Sequence, residues 1–194
     1  MIRLFDLFLS IIGVIIFLPL FLILCFVINL ESRGGCIYKQ IRVGRHNKDF
    51  YLYKFRSMFK DADKESLITI GNRDYRITRI GYLIRKYKLD ELPQLFNVIK
   101  GNMSIVGPRP EVRKYVDLYN NDQLKVLQKR PGITDYASIN FRNENEFLKN
   151  AIDPEKMYID QIMSLKIHYN MIYINNYKLT EYFKIIFLTL IKIL

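Results

Sequence analysis

The segment Leu7–Leu30 constrains the fold of this chain most, because its 24 residues carry no formal charge and are rich in Ile, Leu, Phe and Val. As a helix it would be about 36 Å long, enough to cross a hydrocarbon core of about 30 Å. It is too long for the apolar part of a typical signal peptide, and no small-residue cleavage site is evident. We therefore predict a membrane-inserted helix over residues 1–30 and a separate domain over residues 31–194.

Pro19 leaves the course of this helix open. Proline lacks a backbone N–H and clashes with the preceding turn, so a kink is expected near the middle of the segment. Arg3 is the basic side chain that precedes the segment. The basic residues Lys39, Arg42, Arg45 and Lys48 follow closely after the segment ends. The positive-inside rule therefore places the rest of the chain in the cytoplasm. A single span and a helix that enters and leaves by the same face both agree with this pattern.

Lysine and arginine outnumber aspartate and glutamate by 30 to 19, which gives a formal net charge of +11 and indicates an anionic partner. Because the basic residues are dispersed and no nucleic-acid-binding motif is present, we predict no nucleic-acid partner. The two histidines and two cysteines lack metal-ligand spacing, which argues against a zinc site. Cys25 and Cys36 are too few and too close for a disulfide framework, and Cys25 is expected to be an ordinary buried thiol.

Two short strands are predicted after the apolar segment, over Cys36–Arg42 and Phe50–Phe55, with a polar hairpin between them. The second strand leads into Lys54 and Arg56, which a period of two residues places on one face, with Phe55 on the other. Two cations on one face could bind a phosphate. A charged edge that only keeps the strand soluble is the simpler interpretation of the pair taken alone.

The remainder of the chain is predicted to be mostly helical, because apolar residues recur at helical spacing over 76–89, 111–128, 158–172 and 179–193. A short strand is predicted over 136–141, and the polar stretch 61–72 is predicted to be a helix followed by a loop. The last helix is apolar almost all round, which favours membrane contact, whereas core packing is an open alternative for 158–172. The predicted fold class is α/β, predominantly helical, with amphipathic helices at the membrane interface.

Two adjacent carboxylates, Asp90 and Glu91, precede an apolar stretch in which Pro93 should start a helix and Gly101 should end it. Asp90 suits the N-cap of that helix, where the helix dipole would keep a carboxylate ionised. Neighbouring side chains at a helix start point about 100° apart, so one carboxylate could act as a nucleophile while the other holds Mg²⁺. A helix cap without any chemical role is the alternative.

A rigid turn follows, in which Arg109 stands between Pro108 and Pro110. A preorganised guanidinium suits bidentate binding of phosphate, and structural turns seldom need an arginine between two prolines. Together with the membrane segment and the paired cations, this arginine favours chemistry on an anionic substrate over a simple cap at Asp90 and Glu91.

On these residues the chain resembles the bacterial sugar transferase family, monotopic phosphoglycosyl transferases that attach a sugar phosphate to undecaprenyl phosphate. The matching pieces occur in the family's order and cover nearly the whole chain. They are the apolar segment with Pro19, Tyr38–Gln40, Arg42–Gly44, Tyr53–Met58, Arg76–Gly81, Leu89–Gly101, Met103–Pro110 and Arg130–Thr134.

The resemblance implies a mechanism and a set of site residues. Asp90 would attack the β-phosphorus of a UDP-sugar and expel UMP, and polyprenyl phosphate would then take the sugar phosphate from the carboxylate. Glu91 would hold Mg²⁺. The phosphates would be surrounded by Lys54, Arg56, Arg85 and Arg109.

The resemblance also implies a location. The N-terminal helix would be re-entrant and broken at Pro19, with both ends on the cytoplasmic face of the bacterial inner membrane and in contact with its lipid. The donor sugar and the glycan made are left open. A catalytically inert, membrane-anchored scaffold of a glycan-assembly complex is the alternative, and the intact Asp90, Glu91 and Arg109 argue against it.

The chain departs from the usual family pattern in three places. Leu18 stands where many relatives have a serine before the proline, and Asn102 replaces an aspartate. Asp135–Ser138 (DYAS) replace the more frequent Gly-Leu-Ala-Gln. The role of this last segment is open.

Overall fold

The computed structural model describes residues 1–62, 69, 71, 74–141 and 144–193. Most of these residues are helical, which confirms the predicted α/β class with a predominance of helix. The helices are α1 (Ile2–Glu31), α2 (Arg79–Lys86), α3 (Gln94–Lys100), α4 (Arg113–Val116), α5 (Tyr136–Asn140), α6 (Glu144–Lys149), α7 (Pro154–Met157), α8 (Met163–Asn175) and α9 (Leu179–Ile193). The strands are β1 (Ile37–Val43), β2 (Asp49–Phe55), β3 (Ser104–Val106) and β4 (Gly132–Thr134). A π-helical turn, Tyr158–Ile162, joins α7 to α8, and short 3₁₀ helices cover Arg45–Asn47, Leu89–Glu91 and Gln123–Gln128.

The predicted hairpin is confirmed within one residue at each strand end. Strands β1 and β2 pair antiparallel from Ile37 opposite Phe55 to Val43 opposite Asp49. Phe55 is fully buried, as the alternation of the strand predicts, and it packs beside Phe21 of α1 with the ring centroids 5.2 Å apart. The hairpin therefore presents Lys54 and Arg56 on the side away from this core.

Strands β3 and β4 form a parallel pair that positions the turn carrying Arg109. Gly107 donates its N–H to Thr134 (3.1 Å), and Gly132 donates its N–H to Pro108 (2.9 Å). A Cβ on Gly132 would lie 2.1 Å from the nitrogen of Gly107, so this close approach of two backbones requires glycine. The turn is thus fixed by a backbone contact that leaves no room for a larger side chain.

Some sequence predictions are wrong in the structure. The predicted strand over 136–141 is instead α5 and its C-cap Phe141, because the Asp135 side chain accepts from the N–H of Ser138 and caps a helix. The single helix predicted over 111–128 is instead the short α4 and the 3₁₀ helix Gln123–Gln128, separated by a polar stretch that favours turns. The prediction for 61–72 lies mostly outside the described residues.

Among the described residues, α1 is the one helix long and apolar enough to cross a membrane. It is helical through Pro19 and on both sides of it, so the predicted break does not end the helix there. One face of α1 packs on the domain through Phe21, Leu24 and Ile28. The opposite face leaves large apolar side chains exposed, among them Leu4, Phe8, Ile15, Ile16, Leu22 and Phe26.

Both ends of α1 are bound to the same body of the protein. Near its start, the Asp6 carboxylate accepts hydrogen bonds from the Ser104 hydroxyl (2.9 Å), the Ile105 N–H (2.9 Å) and the Tyr182 hydroxyl (3.0 Å). At its end, the Glu31 carboxylate accepts from the first N–H groups of α2. The helix is therefore fastened along its length to elements that follow it in the chain.

Replacing Asp6 by alanine should lower the stability of the protein by about 2 kcal/mol or more, because two buried donors and one partly buried donor would lose their acceptor. For a chain of this size that corresponds to a decrease in melting temperature of about 5 °C, measured by thermal unfolding in detergent or nanodiscs. Alanine at the exposed Asp117 is the control and should leave the melting temperature within about 1 °C. Equal melting temperatures for the two variants would contradict the role of Asp6.

The cysteines differ from the sequence prediction. Cys25 of α1 and Cys36, just before β1, form a disulfide with their Cα atoms 4.9 Å apart. The chain turns back directly after α1, and this brings the two residues within the distance that a disulfide requires. Cys25 is therefore not the buried free thiol that its apolar neighbours suggested.

The two C-terminal helices differ in what covers them. Residues from the π-helical turn and α8 pack in a core with Val112, Tyr115 and Leu148. Core packing, the alternative that the sequence left open for residues 158–172, is therefore the one the structure adopts. Helix α9 buries Tyr182 and Ile185 completely but exposes the apolar side chains Phe183, Phe187, Leu190 and Ile191. Phe183 also contacts Phe5 of α1 with the ring centroids 5.1 Å apart. The exposed apolar faces of α1 and α9 therefore adjoin.

Candidate active site

Asp90 and Glu91 lie in the 3₁₀ helix Leu89–Glu91, between α2 and α3. Helix α3 begins only at Gln94, after Pro93, and ends at Gly101, whose φ is 88°. The predicted stop at Gly101 is confirmed, but Asp90 is not the cap of α3, because the chain is already in a tight turn at Lys88, whose φ is 57°. The two carboxylates thus sit on a short bend rather than at a helix N-terminus.

Glu91 is held by two cations. Both of its oxygens accept from the Arg109 guanidinium, and Lys54 Nζ lies 3.5 Å from Oε1. Burial alone would raise the pKa of Glu91, but the charges of Arg109 and Lys54 outweigh it and hold the pKa well below the ordinary value. Glu91 is therefore anionic across the physiological range.

Asp90 is in a different state from its neighbour. It is 7% exposed, and among the described residues its Oδ1 atom has no hydrogen-bond partner. Burial, followed by the adjacent charge of Glu91, raises the pKa of Asp90, while Lys54 and Arg85 oppose the rise. Asp90 is therefore not placed where the dipole of α3 favours its ionised form, because it lies before α3, and burial raises its pKa instead.

A polar cavity of about 620 Å³ opens in front of Asp90. Its walls include all four cations predicted to bind phosphate: Lys54, Arg56, Arg85 and Arg109. Sequence reasoning missed other members of the wall, such as Arg42, Glu111, Tyr158 and Lys166, because the fold gathers them from distant parts of the chain. The cavity has the size of typical small-molecule sites and a surplus of positive charge, so it suits an anionic ligand of nucleotide size.

Arg56 has a different position from the other cations. Its guanidinium donates to the Arg33 carbonyl (3.0 Å) and to the carbonyl and hydroxyl of Ser32. These bonds hold the chain that leaves α1, at the edge of the cavity. The structure thus gives Arg56 a structural task that the strand pattern did not predict, whereas Lys54 lies beside Glu91.

The backbone of Arg109 is fixed from two sides. Asp135 Oδ2 accepts from the Arg109 N–H (3.0 Å), and Arg42 donates to the Pro110 carbonyl (3.1 Å). Asp135 is 1% exposed and caps α5 with its other oxygen. The Asp135–Ser138 segment therefore has an assigned role, which is to position the arginine turn. The capping pattern of Asp135 is visible in the sequence, but its bond to Arg109 is not.

The Mg²⁺ site predicted from the sequence would use these carboxylates. No cluster of three or more His, Cys, Asp or Glu suited to a metal occurs within the part of the chain that the structure describes. Asp90 and Glu91 still fit one Mg²⁺ shared with substrate phosphates, since they offer hard oxygen ligands and Asp90 Oδ1 lacks a partner there. Glu91 could contribute only if Arg109 gave up one of its oxygens.

The comparisons with known proteins agree with these features. The family model described as bacterial sugar transferase matches residues 1–194. The chain is 36% identical over 192 residues to the UDP-N-acetylgalactosamine-undecaprenyl-phosphate N-acetylgalactosaminephosphotransferase of Aeromonas hydrophila, covering 97% of this chain and 42% of the relative. It is 34% identical over 194 residues to the UDP-glucose:undecaprenyl-phosphate glucose-1-phosphate transferase of Klebsiella pneumoniae, covering 98% and 39%.

A shorter relative is also similar. A putative undecaprenyl-phosphate N-acetylgalactosaminyl 1-phosphate transferase of Bacillus subtilis (strain 168) is 46% identical over 120 residues, which cover 62% of this chain and 67% of that protein. By contrast, the chain spans less than half the length of the Aeromonas and Klebsiella proteins. The similarity to them therefore concerns one part of each relative.

Proposed function

The chain belongs to the bacterial sugar transferase family, and from this membership we propose that it transfers a sugar 1-phosphate from a UDP-sugar to undecaprenyl phosphate. The observation that carries the proposal is the buried Asp90 beside Glu91, at the wall of a cavity lined by Lys54, Arg85 and Arg109. A scaffold without activity would not need a buried carboxylate with an unpartnered oxygen in the wall of a basic cavity. The names of the similar proteins support the same donor and acceptor classes.

The proposed chemistry has two steps. An Asp90 oxygen bonds to the β-phosphorus of the UDP-sugar, and the bond from that phosphorus to the bridging oxygen breaks, so that UMP leaves. A phosphate oxygen of the acceptor then bonds to the same phosphorus and releases the Asp90 carboxylate, which gives the polyprenyl diphosphate sugar. Asp90 must be ionised to attack, and Lys54 and Arg85 are the charges that favour its ionised form.

Glu91 and Arg109 support this reaction by charge. Arg109 can present two N–H groups to a phosphate in the geometry it now uses for Glu91. Glu91, released by that exchange, would hold Mg²⁺ together with the donor diphosphate. Magnesium, when bound, neutralises charge on the phosphates.

The attachment of α1 supports a location on one side of a membrane. Asp6 and Glu31 lie at opposite ends of the helix, and both are bonded to the same body. A helix that crossed the bilayer would put those two ends on opposite sides, so these contacts favour a helix whose two ends stay on the same face. The basic residues after α1 favour the cytoplasmic face of the inner membrane.

The test is release of UMP from a panel of UDP-sugars with undecaprenyl phosphate, using the purified protein in detergent or nanodiscs. We expect release that depends on the acceptor with at least one donor, and the best donor identifies the sugar. Absence of UMP with every hexose and N-acetylhexosamine donor, from protein that melts cooperatively, would instead support the inert scaffold.

Lys54 should set the alkaline limit of the activity. Burial lowers the pKa of Lys54 to about 8, although the charge of Glu91 opposes the change. The protonated lysine is the form that attracts phosphate, so activity should fall as the pH rises through about 8. Arginine at position 54 stays charged, and the Lys54→Arg variant should keep its activity to at least pH 9. Identical pH profiles for the two proteins would exclude Lys54 as the titrating group.

A further inference from the structure

A second cavity, of about 230 Å³, lies on the other side of the Glu91–Arg109 ion pair. It is bounded by α3, β4, α5 and α9, and its walls include Leu92, Leu95, Ile133, Ile139, Thr189 and Lys192. Most of the accessible surface of this lining is apolar, with Leu92, Leu95, Ile133 and Ile139 as its aliphatic members, in contrast to the more polar surface of the first cavity. The described residues therefore form two compartments of opposite chemical character beside one ion pair.

Arg109 connects the two compartments, because it lines both. Asp90 belongs to the wall of the polar cavity, whereas Glu91 and Lys88 belong to the wall of the apolar one. A phosphate placed at Arg109 could therefore reach Asp90 from the polar side while its substituent extended into the apolar side. This arrangement fits a ligand with an anionic head and a hydrocarbon tail.

The apolar cavity adjoins the exposed apolar faces of α1 and α9. Its α9 wall belongs to the helix that exposes Phe187, Leu190 and Ile191. On the α3 side, a Cβ on Gly13 of α1 would lie 3.1 Å from Leu95, so this wall residue packs directly against the apolar N-terminal helix. The exposed faces of α1 and α9 thus continue the hydrophobic surface that begins in the cavity.

We propose that the apolar cavity holds the isoprenoid units next to the phosphate of the acceptor, while the polar cavity holds the UDP-sugar. This assignment rests on the proposed function and adds the side from which each substrate enters. The donor is polar throughout, so burying it among aliphatic side chains would leave its hydroxyls without partners. The acceptor's hydrocarbon makes no hydrogen bonds, so burial in this cavity leaves none of its groups without a partner. Lys88, Lys192 and Arg109 supply positive charge for its phosphate.

Two separate variants test the proposal by filling the cavity with a larger side chain from different walls. They are Ile139→Trp on α5 and Thr189→Phe on α9. Each should raise the KM for undecaprenyl phosphate about tenfold or more, because the larger side chain excludes methylene groups that are each worth about 0.8 kcal/mol when buried. The KM for the UDP-sugar should change less than about twofold, a split that general damage to the fold would not produce. Initial rates of UMP release, with each substrate varied in turn, give both constants.

One control separates cavity filling from other effects. Leu118→Trp adds the same bulk at an exposed position outside the cavity and should change neither KM. Melting temperatures identify any variant whose fold is damaged.

The length of the acceptor supplies a further test. If the cavity holds the tail, the two filling variants should lose activity with undecaprenyl phosphate while a five-carbon prenyl phosphate reacts as with the wild type. Equal loss with both acceptors, an unchanged acceptor KM in both filling variants, or a parallel rise in both KM values would overturn the assignment. A wild-type protein without UMP release would instead refute the proposed function itself.

Discussion

The Asp90→Asn variant is expected to release no measurable UMP with any UDP-sugar, a loss of at least about a thousandfold in kcat. Asparagine keeps the shape of the side chain but removes the anionic oxygen that the proposed mechanism uses to attack phosphorus. Residues that form the covalent intermediate typically cost several orders of magnitude when replaced. The measurement is UMP release at saturating donor and acceptor, with the wild type at the same concentration.

The fold provides an internal control for this variant. Asp90 is a buried carboxylate next to the negative charge of Glu91, and both conditions disfavour its ionised form. A neutral amide at this position should therefore leave the melting temperature unchanged or raise it. Asp122→Asn, at a side chain that is 87% exposed, should keep full activity. Robust UMP release by Asp90→Asn would rule out the aspartate as nucleophile.

The Arg109→Lys variant is expected to lose about a hundredfold in kcat/KM, the usual cost of removing one preorganised donor from a site of developing charge. Lysine keeps the positive charge but cannot bond both oxygens of Glu91, or of a phosphate, with a planar fork. Because Arg109 lines both cavities, the loss should appear in kcat/KM for the donor and for the acceptor.

Arg113→Lys is the matched control for this variant. Arg113 is also a paired arginine, bonded to Asp49, but its side chain is more exposed and lies outside the walls of both cavities. The same substitution there should change kcat/KM less than about twofold. If Arg109→Lys retained more than half of the wild-type value, charge alone would explain the role of position 109, and the bidentate geometry would be unnecessary.

The elements that could be predicted from sequence are those with local causes. The hairpin of β1 and β2 follows from two extended runs around a polar turn, and the end of α3 follows from Gly101, which adopts a positive φ at no cost. The site residues Asp90, Glu91, Lys54 and Arg109 could be selected from the sequence, because the residues next to each of them limit the positions that its side chain can take. Even α5 has a local signal, Asp135, that outweighs the strand pattern of the residues after it.

The features that could not be predicted depend on distant parts of the chain. Arg56 binds Ser32 and Arg33 instead of facing the cavity freely, and nothing in the strand pattern indicates those partners. The direction of the pKa shift of Asp90 also depends on the assembled domain, because burial of the carboxyl group is its largest cause. Likewise, the apolar cavity exists only where four elements meet, so no single segment indicates it.

The anchoring of α1 has a consequence for the order in which the protein matures. Tyr182, which donates to Asp6, is synthesised 176 residues after it, and Ser104 follows Asp6 by 98 residues. The carboxylate of Asp6 therefore leaves the ribosome long before its partners exist, and water or lipid headgroups must solvate it in the meantime. Final seating of α1 therefore waits for α9, so a helix that is synthesised well before its partners is among the last elements to reach its native contacts.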